Sequence, residues 1–272
     1  MTKDIDAIYK VAKTSVLEAG EAVVKIFPKI QTLKNKELGN DVLTTADAKS
    51  EEIIISAIKK NFPEHSIYSE EMGSNNLESD YKWFIDPLDG SKHISRGLPF
   101  FCITLAVSYK RKVILGITYI PLLNQFFEAK VGGGAFLNGK KIDVSETDNL
   151  EKAMIDAEFP SRNFKVEWSA DDYNLAFADF EKVIKNSFRV RMIGSGPIGL
   201  AYTAMGGYDA YVRFQPYSIE DVIAGYILVK EAGGKVLDFE GRDIDILEQS
   251  GGKFIASNSK ISDKILGLLK TR

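Results

Sequence analysis

A layered fold of mixed α+β and α/β class is predicted by three observations on this 272-residue sequence. Apolar residues recur at helical spacing up to Lys60, short β-rich pieces dominate from Ser66 onward, and strands alternate with helices after about Leu150. The first helix is carried by Ile5, Ile8, Ala12, Ser15, Val16, Ala19 and Val23. A second, from about Ala46 to Lys60, is carried by Ile54, Ile55 and Ile58. The β-rich pieces "SIYSE", "KWFID", "FCITLAVSY", "VILGITYI", "QFFEAK" and "GAFLNGKKIDV" read as a largely antiparallel sheet, the last with an Asn138-Gly139 turn signal. Beyond them come "AMIDAEF", a helix through "NLAFADFEKVIKN", "FRVRMIG", a helix from Pro197, "DAYVRF", a helix from Ser218, "KVLDF", "KFIASN" and a last helix ending in "ILGLLK". The expected organisation is therefore residues 1–150 as helices plus a mainly antiparallel sheet, and residues 151–272 as an α/β subdomain. No repeat period or low-complexity segment interrupts it.

Composition narrows the chemistry. An apolar content of 44% over this length supplies a sizeable core, so a soluble globular protein is expected. The formal charge of −3 is dispersed and no basic block occurs, which argues against a nucleic-acid polymer or an anionic membrane as partner and leaves small anionic substrates open. The N-terminus lacks the apolar core of a signal peptide and no apolar run could span a bilayer, so a cytoplasmic location is expected. Cys102 is the single cysteine, and "FFCITLAV" makes it a small buried hydrophobe rather than a nucleophile. With only His65 and His93 as histidines, zinc ligation by several imidazoles is short of parts. Carboxylates must carry any chemistry.

The segment "WFIDPLDGSKHISRGLP" concentrates them. A strand through Trp83, Phe84 and Ile85 delivers Asp86 at its end, Pro87 forces a turn, and Asp89 comes back beside Asp86. Gly90 lets backbone approach a ligand, and the Ser91 hydroxyl faces the same side. Two carboxylates this close repel unless a proton or a cation lies between them, and hard divalent cations prefer such oxygens, the Leu88 carbonyl included. A plain surface turn remains the alternative, since Asp, Pro and Gly are common turn formers. An EF-hand loop fits poorly, because the twelfth position from Asp86 is Gly97. Glu70 and Glu71 end a β-rich segment, and Asp221 opens a helix. Both "TTAD" (Thr44 to Asp47) and "SIED" (Ser218 to Asp221) have the spacing of a helix capping box, which alone would explain their aspartates.

Together these pieces resemble the inositol monophosphatase family, within the larger group that includes fructose-1,6-bisphosphatases. "DPLDGS" matches the family's D-P-[IL]-D-G-[ST], with "SEE" before it and "GGGAFLNGKKI" after it. "DVLTTAD", "IGSG" before Pro197 and "EDVIAGYILVKEAGG" are further matches. The resemblance implies a layered αβαβα sandwich and a phosphomonoesterase using two or three Mg²⁺ ions. It implies Glu70, Asp86, the Leu88 carbonyl, Asp89 and Asp221 as metal ligands, with Glu71 and Lys36 in support. Ser91 would orient the attacking water with Asp47 as its hydrogen-bonding partner, so Asp47, Glu70, Asp89 and Ser91 form the catalytic set. Gly90, Ser91, Lys92, Gly194, Ser195, Arg213 and Asp221 would meet substrate, while Asp41 and Thr44 would stabilise the loop and helix start. A homodimer is implied by the family alone.

Three positions depart from the pattern. Glu220 stands where the family usually has Trp. Arg213 stands where inositol-specific members carry an acid, and either favours a second anionic group on the substrate or sits ion-paired at a strand end. Lys92 is a feature of the nucleotidase and histidinol-phosphatase branches, and His93 beside it reads better as a loop residue than as a substrate contact. "SEEMG" and "RGLPFF" resemble the archaeal branch that handles both inositol monophosphate and fructose 1,6-bisphosphate. Inositol 1-phosphate leads as expected substrate. Fructose 1,6-bisphosphate, a nucleotide 3′(2′),5′-bisphosphate and histidinol phosphate are the alternatives, and a noncatalytic sugar-phosphate binding module is the non-enzyme reading.

Overall fold

In a computed structural model, which describes residues 2–27, 32–35, 42–159, 169–248 and 252–270, the first layer is α1 (Thr2–Ile26) packed on α2 (Thr45–Asn61). α1 buries Ile8, Ala12, Val16, Ala19 and Val23, one stripe at helical spacing, and α2 buries Ile54, Ile55 and Ile58. Between the helices in sequence lies a small antiparallel ladder of β1 (Thr32–Asn35) and β2 (Val42–Thr44).

The second layer is an eight-stranded sheet. It comprises β3 (Ser66–Ser69), β4 (Gly73–Ser74), β5 (Tyr81–Asp89), β6 (Cys102–Tyr109), β7 (Lys112–Ile120), β8 (Gln125–Lys130), β9 (Gly134–Leu137) and β10 (Lys140–Ile142). Their order is β10-β9-β8-β7-β6-β5-β3-β4, antiparallel throughout except for the parallel pair β3 and β5. Side chains alternate across it: Trp83, Ile85, Ile103, Leu105 and Val107 pack toward α1 and α2, whereas Phe84, Cys102 and Ala106 face the other way. Trp83 is fully buried and its indole N–H donates to His65 Nδ1 at 3.0 Å, so the polar atom of the largest core side chain is satisfied. A single helical turn, α3 (Ser91–Ile94), follows β5 directly.

The remaining elements are β11 (Met154–Glu158), α4 (Ala170–Asn186), β12 (Arg189–Arg191), α5 (Gly196–Ala204), β13 (Ala210–Arg213), α6 (Ile219–Glu231), β14 (Lys235–Asp238), β15 (Phe254–Ser257) and α7 (Ser262–Lys270). The strands form a five-stranded mixed sheet in the order β12-β11-β13-β15-β14, with β11 parallel to both neighbours. α5 and α6 lie between the two sheets, where Leu200, Ala201, Val222, Ile223 and Ile227 meet Phe84 and Phe127 on one side and Tyr211 and Phe254 on the other. On the outer face Ile155, Val212 and Ile255 pack against Ala176 and Val183 of α4 and Ile265 and Leu269 of α7. The layers thus run helix, sheet, helix, sheet, helix, the order the sequence resemblance implies. Among the described residues no helix is long and apolar enough to cross a membrane.

Candidate active site

β5 does not stop at Asp86. It runs through Pro87 to Asp89, but its pairing with β6 slips there, Asp86 facing Thr104 and Asp89 facing Cys102. The intervening Pro87 and Leu88 form a bulge, where a residue without an N–H costs the ladder nothing, and the expected strand-ending turn is replaced by this kink. Asp86 is buried and its Oδ1 accepts the Leu88 N–H at 2.9 Å; Asp89 is half-buried. The Pro87 carbonyl accepts the Ser50 hydroxyl of α2 at 2.6 Å, and the Leu88 carbonyl oxygen lies 3.0 Å from the Ser91 hydroxyl oxygen. Gly90 has φ +94°, and a Cβ there would lie 2.4 Å from the Phe100 carbonyl oxygen, so only glycine lets the chain turn from the bulge into α3.

The start of α2 supplies the next group. Asp47 is buried and closes a capping box: its Oδ2 accepts the Thr44 N–H at 2.9 Å and the Thr44 hydroxyl at 2.5 Å. Its other oxygen, Oδ1, accepts the Ser91 hydroxyl. Burial raises the Asp47 pKa, opposed by the Ser91 and Thr44 hydrogen bonds. Glu70 leaves β3 with its N–H donating to the Ile85 carbonyl at 3.0 Å, which sets it beside Asp86. That loop is tied to α2 by Glu51, whose Oε1 accepts the Ser69 hydroxyl at 2.5 Å and the Met72 N–H at 3.0 Å. Glu71 follows, half-buried.

The opposite wall comes from the second sheet. Ser218 caps α6 without a side-chain bond, so Asp221 is released from the capping role its spacing suggests and lies with Oδ2 4.0 Å from Arg213 Nη2. Ser195, at the start of α5, is buried and its hydroxyl donates to Asp89; Gly194 before it has φ +75°. Arg213 is buried at the end of β13, where it is ion-paired with Glu158 at 2.7 Å. Glu220 is buried, and its backbone carbonyl accepts the Thr104 hydroxyl at 3.1 Å. Lys92 is exposed, and His93 is half-buried with Nδ1 2.8 Å from the Phe100 carbonyl and its ring against Gly194. Cys102 is buried with Sγ 3.8 Å from Asp89 Oδ2, and burial pushes its pKa well up, as befits a packed thiol rather than a nucleophile. Lys36 and Asp41 lie outside the described residues.

The carboxylates burden one another. The Asp86 pKa is raised well above the ordinary value by burial, then by Glu70, Asp89 and Asp221. That of Asp221 is raised by burial, lowered by Arg213, and raised again by Asp89, Glu70 and Glu220. In Asp89 burial raises the pKa and the Ser195 hydroxyl opposes it. Among the described residues no three Asp, Glu, His or Cys side chains are gathered around one point. The donor chemistry nonetheless fits a hard divalent cation, because mutually repelling, partly desolvated carboxylates beside a carbonyl oxygen are relieved by one. Sequence patterns pointed to Glu70, Asp86, Asp89 and Asp221 but missed Glu51 and Glu158, which no local motif marks; their partners are distant in sequence.

Residues 4–271 match the profile of the inositol monophosphatase family. The chain is 33% identical over 261 residues to the protein named Nus factor SuhB of Pseudomonas aeruginosa, covering 94% of this chain and 93% of that one. It is 32% identical over 264 residues to the fructose-1,6-bisphosphatase/inositol-1-monophosphatase of Aquifex aeolicus, covering 96% and 94%. The crystal structure of the extragenic suppressor protein suhB from Bartonella henselae superposes with a TM-score of 0.86 at 28% identity, covering 97% of this chain and 99% of that one. Likeness of sequence and fold over so much of each chain leaves one conclusion: the chain belongs to the inositol monophosphatase family of metal-dependent phosphatases.

Proposed function

We propose that this protein hydrolyses a small phosphate monoester, inositol 1-phosphate first, with Glu70, Asp86, the Leu88 carbonyl, Asp89 and Asp221 holding two or three Mg²⁺ ions and Glu71 and Lys36 in support. The observation that carries the reading is the Ser91–Asp47 pair set beside buried and half-buried carboxylates on the β5 bulge. When bound, the ions would lower the pKa of the attacking water and neutralise charge on the phosphate and the leaving oxygen. The chain's own contribution is positional. With its hydroxyl donating a hydrogen bond to Asp47, the Ser91 oxygen accepts a hydrogen bond from water and fixes its direction of attack. Asp47, anchored by Thr44 and raised in pKa by burial, is a better proton acceptor than a free carboxylate. The backbone at Gly90 and Ser91, with Gly194 and Ser195 opposite, would hold the phosphate, and the exposed Lys92 of α3 would stand at the rim.

Fructose 1,6-bisphosphate is supported as the second substrate by the name of the Aquifex relative, and nucleotide bisphosphates and histidinol phosphate complete the panel. Other relatives are named Nus factor SuhB, which supports a second role as such a factor, separable from hydrolysis by measuring turnover. We also place the protein in the cytoplasm as a homodimer divided into units near residue 150. Exposed Phe188 and Met192, flanking the edge strand β12, support pairing with a second copy, to be checked by sedimentation. The deciding experiment is phosphate release after chelation. Activity should vanish and return with Mg²⁺, and full turnover in chelator would refute the metal-based reading.

A further inference from the structure

Arg213 lies 4.0 Å from the expected ligand Asp221, yet its side chain is only 2% exposed and its donors are engaged. β11 and β13 run parallel with Glu158 and Arg213 as register partners, so the two side chains emerge side by side. Nη1 donates to Glu158 Oε2 at 2.7 Å and lies 3.1 Å from the Tyr211 hydroxyl, while Nε and Nη2 each donate to the Pro216 carbonyl at 3.3 Å. Glu158 is held in turn: Tyr211 donates to Oε2, and Gln215 Nε2 donates to Oε1 at 2.8 Å. The start of α5 covers the pair so closely that a Cβ on Gly196 would stand 2.9 Å from Arg213 Nη1 and 3.1 Å from Glu158 Oε2.

We infer that Glu158 is a specificity-determining residue: by binding Arg213 it withdraws a cation from the substrate-facing wall, so that the site favours substrates whose only anionic group is the phosphate to be cleaved. This rests on the phosphatase reading above and narrows its substrate class to compounds carrying a single anionic group, the phosphate itself. A second phosphate reaching this wall meets a guanidinium already neutralised, and competing for it means stripping a buried, hydrogen-bonded partner that Tyr211 and Gln215 hold in place. Glu158 acts through Arg213 and touches no reacting atom.

The test compares kcat and KM for inositol 1-phosphate and fructose 1,6-bisphosphate, with Mg²⁺, in wild type, Glu158→Gln, Arg213→Gln and the double variant. Glu158→Gln should shift the kcat/KM ratio toward the bisphosphate by about tenfold, mainly through KM, since a charge-assisted contact becomes available. Arg213→Gln alone should leave the ratio within about twofold of wild type, and the double variant should lose the gain. A selective loss of the bisphosphate in Arg213→Gln would overturn the inference, because Arg213 would then already serve a second phosphate. So would an unchanged ratio in folded Glu158→Gln. Should that variant fail to fold, Glu158→Asp, with its carboxylate drawn back from Arg213, takes its place: a ratio shifted toward the bisphosphate supports the inference and an unchanged one overturns it. Calorimetric titration of both compounds supplies the ratio as affinities, so a wild type that releases no phosphate would sink the phosphatase reading and leave this one still decided.

Discussion

The starts of α2 and α6 carry the same pattern, a hydroxyl residue followed three positions later by aspartate, and the fold uses them differently. At α2 the capping box closes: Thr44 and Asp47 satisfy each other's backbone groups, and only the second oxygen of Asp47 is left to hold Ser91. At α6 the Ser218 side chain makes no cap bond, and Asp221 faces Arg213 across 4.0 Å, under the influence of Asp89 and Glu70. A capping box is a local device whose gain of about 1 kcal/mol survives only if the surroundings offer the carboxylate nothing stronger. At α6 they do. One aspartate is therefore held by its helix cap and by Ser91, the other left facing Arg213.

The sharpest test of that contrast substitutes both aspartates. Asp221→Asn should lower kcat by roughly 10³-fold or more while leaving the thermal midpoint in chelator unchanged or higher, since a charge that burial and its neighbours disfavour is removed. Asp47→Asn should lower kcat by about 10²-fold and the midpoint as well. A stability loss in Asp221→Asn equal to that of Asp47→Asn would erase the distinction.

The partner of Asp221 offers the next largest effect. Arg213→Gln should destabilise by roughly 3–5 kcal/mol, because it strands Glu158 with its charge, and Glu158→Gln in the same chain should restore part of that loss. Additive costs in a denaturation cycle would mean that the pair is not coupled.

A third helix start, that of α5, packs on a carboxylate outside the site. Asp156 is buried under Gly199, its Oδ1 accepts the Ile193 N–H at 3.3 Å, and burial raises its pKa to about 7. The folded state thus holds this proton more tightly than the unfolded chain. Its contribution is complete below about pH 4 and is lost as pH rises through about 7, a change on the order of a few kcal/mol. Asp156→Asn should be less stable or equal at pH 4 and more stable than wild type at pH 8. A constant difference in thermal midpoint across that range would refute it.

The smallest effect returns to the caps. Thr44→Ala should cost about 1 kcal/mol or more, and Ser218→Ala less than about 0.5 kcal/mol, by urea denaturation. Equal costs would show that Ser218 caps α6 after all.

The helices and strands were legible because burial imprints its period on the chain. The stripe of α1 could be read at Ile8, Ala12, Val16, Ala19 and Val23, and the same residues form its buried face. The family was legible because "DPLDGS" and its companions are local strings in a fixed order. At Pro87 local reading fell short: a proline after an aspartate signals a turn, yet β6 pairs on both sides of it and draws the strand on to Asp89 through a bulge. Whether Arg213 would reach a substrate or an internal acid was undecidable from its neighbours in sequence. Its partner Glu158 lies two helices and a strand earlier in the chain, and only the parallel register of β11 and β13 brings them together. The sequence by itself determined which segments form helices and strands and which acids could carry chemistry, since periodicity and motif act over a few residues. The tertiary structure alone decided which aspartate caps a helix, which is left facing a cation, and which charges cancel, because those outcomes depend on burial and on partners supplied by distant strands.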